Sequence, residues 1–234
     1  MIPLHDDNPT RIQPIVTVAL IGLCSLFFVM ELMGGERGSQ QIIYSLGMIP
    51  AVLLQGAQLP PELEVLPPSL TVISSMFLHG GWMHLLGNML YLWIFGNNVE
   101  DSMGHARFIV FYLICGIVAA LSQALMNPAS TIPMIGASGA ISGVLGAYLL
   151  LYPYARVLVL IPLGIFSQAV RLPAMFVLGF WFLLQLFNSS MAAGKDDVGG
   201  VAFMAHIGGF VAGMILIPFF KDRSVRLFHP ARRD

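Results

Sequence analysis

Long apolar segments constrain this chain more than any other feature of its sequence. They recur from the N-terminal third to the C-terminal tail, and only 10% of the 234 residues are charged. Soluble domains carry about 25% charged residues, whereas about 20 apolar residues in a helix cross the hydrocarbon core of a bilayer. The sequence therefore predicts an integral membrane protein in contact with lipid. It contains no basic stripe of the kind that binds nucleic acid, so we expect no nucleic-acid partner.

The apolar segments predict an all-α, polytopic membrane protein whose single domain over residues 1–234 is a bundle of six transmembrane helices. The expected spans are about 15–33, 81–95, 108–126, 138–152, 173–187 and 201–220. Five prolines exclude one long helix from residues 34–77, so we expect a loop with short interfacial pieces there. We also expect a polar turn at 96–104. The apolar run 157–166 is too short to cross and contains Pro162, and we expect it to lie at the membrane interface.

Lysine and arginine predict the orientation, because cytoplasmic loops are enriched in them. If six spans place both termini on one side, that side holds nine of the eleven basic residues, and the other holds Arg37 and Lys195. We therefore expect both termini to be cytoplasmic, in the inner membrane of a bacterial cell. Spans two, four and six would then all begin at the outer face.

Those three spans carry polar residues in their first two or three turns. His84 and Asn88 lie in span two, Ser138 begins span four, and His206 lies in span six. Polar or ionisable groups inside a membrane are costly, and they mark a functional site by default. Because the three helices enter from the same side, we expect these side chains to share one depth. A Gly-Ala-Ser-Gly segment such as 136–139 is, taken alone, more often a helix-packing surface than a nucleophile turn.

The residue types fit acyl transfer. A serine hydroxyl needs a base to become a nucleophile, and histidine titrates in the right range, so we expect Ser138 to be the nucleophile and His206 the base. His84 and Asn88 share one helix face, and together with the Ser138 amide they would donate hydrogen bonds to an oxyanion. We expect no acidic residue near this depth, which predicts a Ser–His pair and not a triad.

Small residues on spans four and six would allow the close approach that a Ser–His hydrogen bond requires. Gly139 and Gly143 are four residues apart, and so are Ala205, Gly209 and Gly213. Faces of this kind let helix backbones meet without intervening side chains. We therefore predict that the two spans pack through these residues, and that valine at position 209 separates them.

In order and in span, the motifs resemble the rhomboid family of intramembrane serine proteases. The residues that carry the resemblance are Gly136 to Gly139, Ala205-His206 followed by Gly209, His79, His84 and Asn88, and Gly96, Glu100 and Gly104. The resemblance implies a serine endopeptidase that hydrolyses a peptide bond in or near the transmembrane helix of a membrane-protein substrate. It implies Ser138 and His206 as the catalytic residues, His79 as a structural residue of the first external loop, and no cofactor or metal.

The chain departs from the family pattern at two places. Many members carry a tyrosine four residues after the serine, where it stacks on the histidine, but here that position is Ser142. Another residue must therefore hold His206, and the sequence does not identify it. Some members also have a Trp-Arg pair in the first external loop, where this chain has Pro67-Pro68-Ser69-Leu70.

Other functions remain open at this stage. A metal could bind His79, His84 and His206, although the first two are five residues apart and lack the carboxylate of a His-Glu-x-x-His motif. The chain could also be a transporter or a catalytically weak rhomboid-like protein, although it lacks the repeats of transporters and retains both Ser138 and His206. We expect the loop 188–200 to be a movable cover. The sequence predicts neither the oligomeric state nor the natural substrate.

Overall fold

The computed structural model describes residues 1–163, 166–192 and 202–229. The described residues are mostly helical. The helices are α1 (Ile15–Met33), α2 (Gly35–Leu46), α3 (Pro50–Gln55), α4 (Pro68–Ser74), α5 (Trp82–Met103), α6 (His105–Met126), α7 (Ser138–Leu151), α8 (Ala174–Ala192) and α9 (Phe203–Phe220). Among them, α1, α6, α8 and α9 are long and apolar enough to cross a membrane. The chain is therefore an integral membrane protein.

Two further helices complete the set that was expected to span. Helix α5 has 22 residues but several polar ones, and α7 has 14 residues, a length of about 21 Å. A count of six spans therefore stays a prediction. The segment 34–77 forms the helices α2, α3 and α4 and two short 3₁₀ turns, at Pro61–Leu63 and Ser75–Phe77.

The polar turn expected at 96–104 is wrong, because α5 continues through it to Met103. Its polar residues are buried partners of other segments. The carboxylate of Glu100 accepts hydrogen bonds from the backbone N–H groups of Val16 and Thr17 and from the Thr17 hydroxyl, at 2.7 to 2.9 Å. These amides begin α1 and have no acceptor within that helix, so Glu100 anchors the start of α1 against α5. His105 also pairs with Glu100, at 2.6 Å.

The expectation of an all-α chain is wrong because the structure contains a three-stranded antiparallel sheet. Its strands are β1 (Ile2–Asp6), β2 (Arg156–Leu163) and β3 (Phe166–Pro173), in the order β1-β2-β3. The described residues of the run 157–166 therefore belong to strands, and its expected place at the membrane interface stays a prediction. Val157 and Val159 are buried while the residues that alternate with them are more exposed, the period-two pattern of a strand. Pro162 lies beyond the residues of β2 that pair with β1, where its missing N–H is tolerated.

Helix α7 lies at the centre of the bundle. Every residue from Gly139 to Tyr148 is buried, and α7 packs against α5, α6 and most extensively α9. Its C-terminal end meets the sheet, where the Tyr148 hydroxyl donates a hydrogen bond to Asp6 at 2.6 Å. Its N-terminal end, which begins with Ser138, therefore lies at the opposite end of the molecule from the sheet.

Candidate active site

The start of α7 is shaped by a glycine that no other residue could replace without strain. Gly136 has a φ of +120°, and a Cβ built on it would lie 2.7 Å from Nε2 of His84. Its N–H donates to the carbonyl of Ser75 at 2.8 Å. Ser138 follows as the first residue of α7 and is half-buried. The His84 ring therefore lies directly against the turn that presents Ser138.

Helices α7 and α9 meet through backbone atoms. A Cβ built on Gly209 would overlap the carbonyl oxygen of Gly139, and one built on Gly213 would overlap that of Gly143. A Cβ on Gly143 would in turn overlap Cys115 of α6. The small-residue faces noted in the sequence are therefore the surfaces through which these helices approach each other.

This approach brings Ser138 and His206 together. The Ser138 Oγ lies 2.8 Å from Nε2 of His206, which is in the first turn of α9. That distance is within the 2.6–3.2 Å expected for a nucleophile and its base. Both residues are half-buried.

A residue that the sequence analysis missed holds the other ring nitrogen of His206. Nδ1 lies 2.8 Å from Oε1 of Gln185, which is buried on α8. The indole of Trp181, one turn earlier on α8, lies against the imidazole with ring centroids 5.8 Å apart. The signal was present in the sequence, because Gln185 is the single hydrogen-bonding amide in the apolar run from Ala174 to Phe187.

Ser142, at the position where many rhomboids have tyrosine, does not contact His206 through a hydrogen bond. Its hydroxyl donates to the carbonyl of Ser138, at 2.6 Å within α7. The contacts to Nδ1 and to the face of the imidazole therefore come from α8, and α7 contacts the ring through Ser138.

Two of the three expected oxyanion donors, His84 and Asn88, lie on α5. Nδ1 of His84 accepts from the N–H of Gly80 at 3.3 Å, which leaves Nε2 on the side of Gly136. Asn88 follows one turn later and is buried, and its Nδ2 has no hydrogen-bond partner among the described residues. A buried amide without a partner is costly, and it is available to a ligand.

His79 is buried beside His84 at the end of the first loop. The two rings meet edge to face with centroids 5.1 Å apart. Nδ1 of the His79 ring lies 3.3 Å from the carbonyl of Phe77, and the backbone N–H of His79 donates to the Glu31 carboxylate at 3.3 Å. Glu31 corrects the expectation that no acid lies near this depth, since it is buried at the end of α1. It contacts the loop and not His206, which hydrogen-bonds with Gln185 and Ser138.

Two further expectations concern a movable cover and a metal site. The proposed cover, 188–200, lies for the most part outside the described residues, which stop at 192 and resume at 202. Over the residues that the structure does describe, no three His, Cys, Asp or Glu side chains form a group that could hold a metal ion.

Comparisons with known proteins agree with the motifs. The Rhomboid domain model matches residues 69–223. The chain is 33% identical over 165 residues to "Rhomboid-like protease 5" of Toxoplasma gondii, an alignment that covers 67% of this chain and 17% of that protein. It is 29% identical over 205 residues to "Rhomboid protease GluP" of Bacillus subtilis, covering 87% and 35%, and 28% identical over 145 residues to "Putative rhomboid protease YdcA" of the same organism, covering 62% and 64%. These alignments span less than two thirds of each relative. Because the Rhomboid domain model matches more than half of the chain, the chain belongs to the rhomboid family.

Proposed function

We propose that this protein is an intramembrane serine endopeptidase that hydrolyses a peptide bond in or near the transmembrane helix of a membrane-protein substrate. The observation that carries the proposal is the 2.8 Å contact between the Ser138 Oγ and Nε2 of His206. It joins two helices that approach closely enough only because glycines line their interface. The names of the aligned relatives, which are rhomboid proteases, support the same reaction class.

The proposed reaction follows from the polarity of these groups. Nε2 of His206 takes the proton of the Ser138 hydroxyl as Oγ attacks the scissile carbonyl carbon, and the carbonyl oxygen becomes an oxyanion. The protonated imidazole then gives its proton to the leaving amine, which departs and leaves an acyl-enzyme. Water, activated by the same imidazole, hydrolyses the ester and restores Ser138.

Three donors are proposed for the oxyanion. The N–H of Ser138 is at a helix start, where it has no acceptor within the helix. Nε2 of His84 lies beside Gly136, and Nδ2 of Asn88 is buried without a partner among the described residues. Donors that are fixed in place before the reaction stabilise the developing charge at no cost of reorganisation.

The membrane arrangement is part of the proposal. We propose six spans, α1 and α5 to α9, with both termini in the cytoplasm of a bacterial cell. The basic residues Arg156 and Arg171 of the sheet and Lys221 after α9 lie at the end of the molecule away from Ser138, as the distribution of positive charge in membrane proteins favours. Labelling of Lys195 by a membrane-impermeant amine reagent tests this orientation, and labelling only in opened membranes would reverse it.

The function is tested with purified protein reconstituted in liposomes with a single-span reporter protein. We expect wild type to cleave the reporter, and Ser138→Ala, His206→Ala and the double variant to lose activity to the same degree, because residues that act as a unit are not additive. Each variant should keep the thermal unfolding midpoint of wild type within a few degrees. Cleavage by Ser138→Ala at the wild-type rate would reject the proposal, and loss of wild-type cleavage with a chelator would favour a metal-dependent reaction instead.

A further inference from the structure

Gln185 on α8 makes two hydrogen bonds whose directions are fixed by chemistry. Its Nε2 donates to the backbone carbonyl of Trp181 at 3.2 Å. A carbonyl oxygen can only accept, so the amide nitrogen must be the atom on that side. The amide oxygen therefore faces Nδ1 of His206, at 2.8 Å.

This orientation determines where the proton of the neutral imidazole lies. An amide oxygen is an acceptor only, so Nδ1 of His206 must carry the hydrogen and donate it to Gln185. Nε2 then has a free lone pair, and that lone pair faces the Ser138 hydroxyl at 2.8 Å. The carbonyl of Trp181 thus selects, through one amide, the tautomer of His206 in which Nε2 can accept a proton.

The surroundings make this hydrogen bond hard to replace with water. Gln185 is 8% exposed, and the Trp181 ring covers one side of the imidazole. Phe210, one turn after His206 on α9, stacks on Phe182 of α8 with ring centroids 4.5 Å apart. This contact holds α8 against α9 at the level of the histidine.

We propose that Gln185 is a positioning residue of the catalytic site, which fixes the tautomer and the ring orientation of His206 and keeps an acceptor on Nδ1 when the imidazole is protonated. The proposal rests on the proposed protease function. No proton passes to Gln185, since its oxygen accepts the Nδ1–H hydrogen bond before, during and after the transfer at Nε2. The site therefore has a third member on α8, an amide in the place where other serine hydrolases use a carboxylate.

Two substitutions separate the hydrogen bond from the shape of the side chain. Gln185→Met keeps an unbranched side chain of similar length but removes the acceptor, whereas Gln185→Glu keeps an oxygen that accepts from Nδ1. Gln123→Met is the matched control. It makes the same change on α6, where Oε1 is buried and has no partner among the described residues.

The experiment measures kcat and KM for the single-span reporter in liposomes, the rate at which a fluorophosphonate probe labels Ser138, and the thermal unfolding midpoint. For Gln185→Met we expect about a 10²-fold lower kcat, the loss typical of a misplaced catalytic group, with KM nearly unchanged and slower labelling. We expect Gln185→Glu to recover at least a tenth of the wild-type kcat, and Gln123→Met to match wild type in every measurement.

The outcomes separate this inference from the proposed function. Wild-type kcat and labelling in Gln185→Met would overturn the role of Gln185 and leave the protease proposal intact. An equal loss in Gln185→Met and Gln185→Glu, with both unfolding midpoints unchanged, would also overturn it, because the acceptor would then not matter. If wild type itself neither cleaves the reporter nor reacts with the probe, the proposed function fails first.

A nuclear magnetic resonance measurement keeps the proposal testable if Gln185→Glu does not fold. In protein with ¹⁵N-labelled histidine, the shifts of Nδ1 and Nε2 report the tautomer, and comparison with His206→Ala assigns the signals of His206. We expect one tautomer, protonated at Nδ1, in wild type and a mixture in Gln185→Met. A mixture already present in wild type would overturn the proposal.

Discussion

A single added methyl group on α9 should separate the two helices that carry Ser138 and His206. A Cβ built on Gly209 overlaps the carbonyl oxygen of Gly139 and lies 3.0 Å from its carbonyl carbon. Carbon atoms in contact are about 3.5–4.0 Å apart, so the contact with this carbon alone requires that Gly209→Ala shift the helices by about 0.5–1 Å, and the overlap with the oxygen makes that a lower bound. Backbone atoms of two packed helices cannot turn aside as a flexible side chain would, so we expect the helices themselves to move.

The shift changes the distance between Ser138 and His206 because both residues are close to the contact between Gly209 and Gly139. Ser138 precedes Gly139, and His206 lies one turn before Gly209. An increase of about 0.5–1 Å would take their 2.8 Å contact to the limit of a hydrogen bond or beyond it, and a misplacement of this size costs about 10²-fold in rate. Overpacking should also cost about 1–3 kcal/mol of stability, and Gly209→Val, which is larger, should cost more.

The assay is kcat for the single-span reporter together with the thermal unfolding midpoint in detergent. Gly22→Ala on α1 is the matched control, since a Cβ at that position meets no atom within 4 Å. Ile215→Val is a second control on α9, at a side chain that is 61% exposed. Wild-type kcat in Gly209→Ala would refute the reasoning, because the helices would then tolerate the shift without loss of geometry.

Two further predictions concern the oxyanion donors and the sheet. Asn88→Ala should lower kcat by about 10²–10³-fold with little change in KM, and an unchanged kcat in the Asn88→Ala, His84→Ala double variant would contradict the role of both. Burial raises the pKa of Asp6 from 3.8 to about 6, so the unfolded chain ionises first and wild type should lose about 2 kcal/mol of stability as the pH rises from 4 to 7. Asp6→Asn, whose amide oxygen can still accept from Tyr148, should lack this loss in unfolding measurements across that range, and identical pH profiles for the two proteins would contradict the prediction.

Sequence reasoning found Ser138, His206, His84 and Asn88 because each is a polar residue near the start of an apolar helix. Depth in the membrane is then a shared coordinate, and residues on separate helices can be compared without knowing how the helices pack. The small residues added a second constraint, since their spacing marks the faces through which α7 and α9 meet. The catalytic roles themselves remain predictions.

The sequence analysis did not predict the sheet, because the strands that pair in it come from segments far apart in the chain. The alternation in Arg156–Leu163 is short, and its partner Ile2–Asp6 is about 150 residues earlier in the chain. Pro162 and the apolar character of the run favoured a membrane-surface segment, and only the pairing of β1 with β2 shows why an extended backbone is favoured. The role of Glu100 was hidden for the same reason, because its hydrogen-bond partners begin α1, more than 80 residues away.

The sequence analysis did not identify Gln185, because the contact of its side chain with His206 depends on how α8 packs against α9 and not only on depth in the membrane. Gln185 lies 47 residues after Ser138 and 21 before His206, and the apolar run from Ala174 to Phe187 has no other side-chain amide to mark a face. Where many rhomboids restrain the histidine with a tyrosine of the serine helix, this chain has Ser142, which bonds to its own helix. In this chain the imidazole of His206 is instead contacted from α8, by the hydrogen bond of Gln185 and the ring of Trp181. In the proposed mechanism the orientation of His206 depends on the packing of α8 against α9, so a change that displaces α8 should lower kcat even if α7 and α9 stay in place.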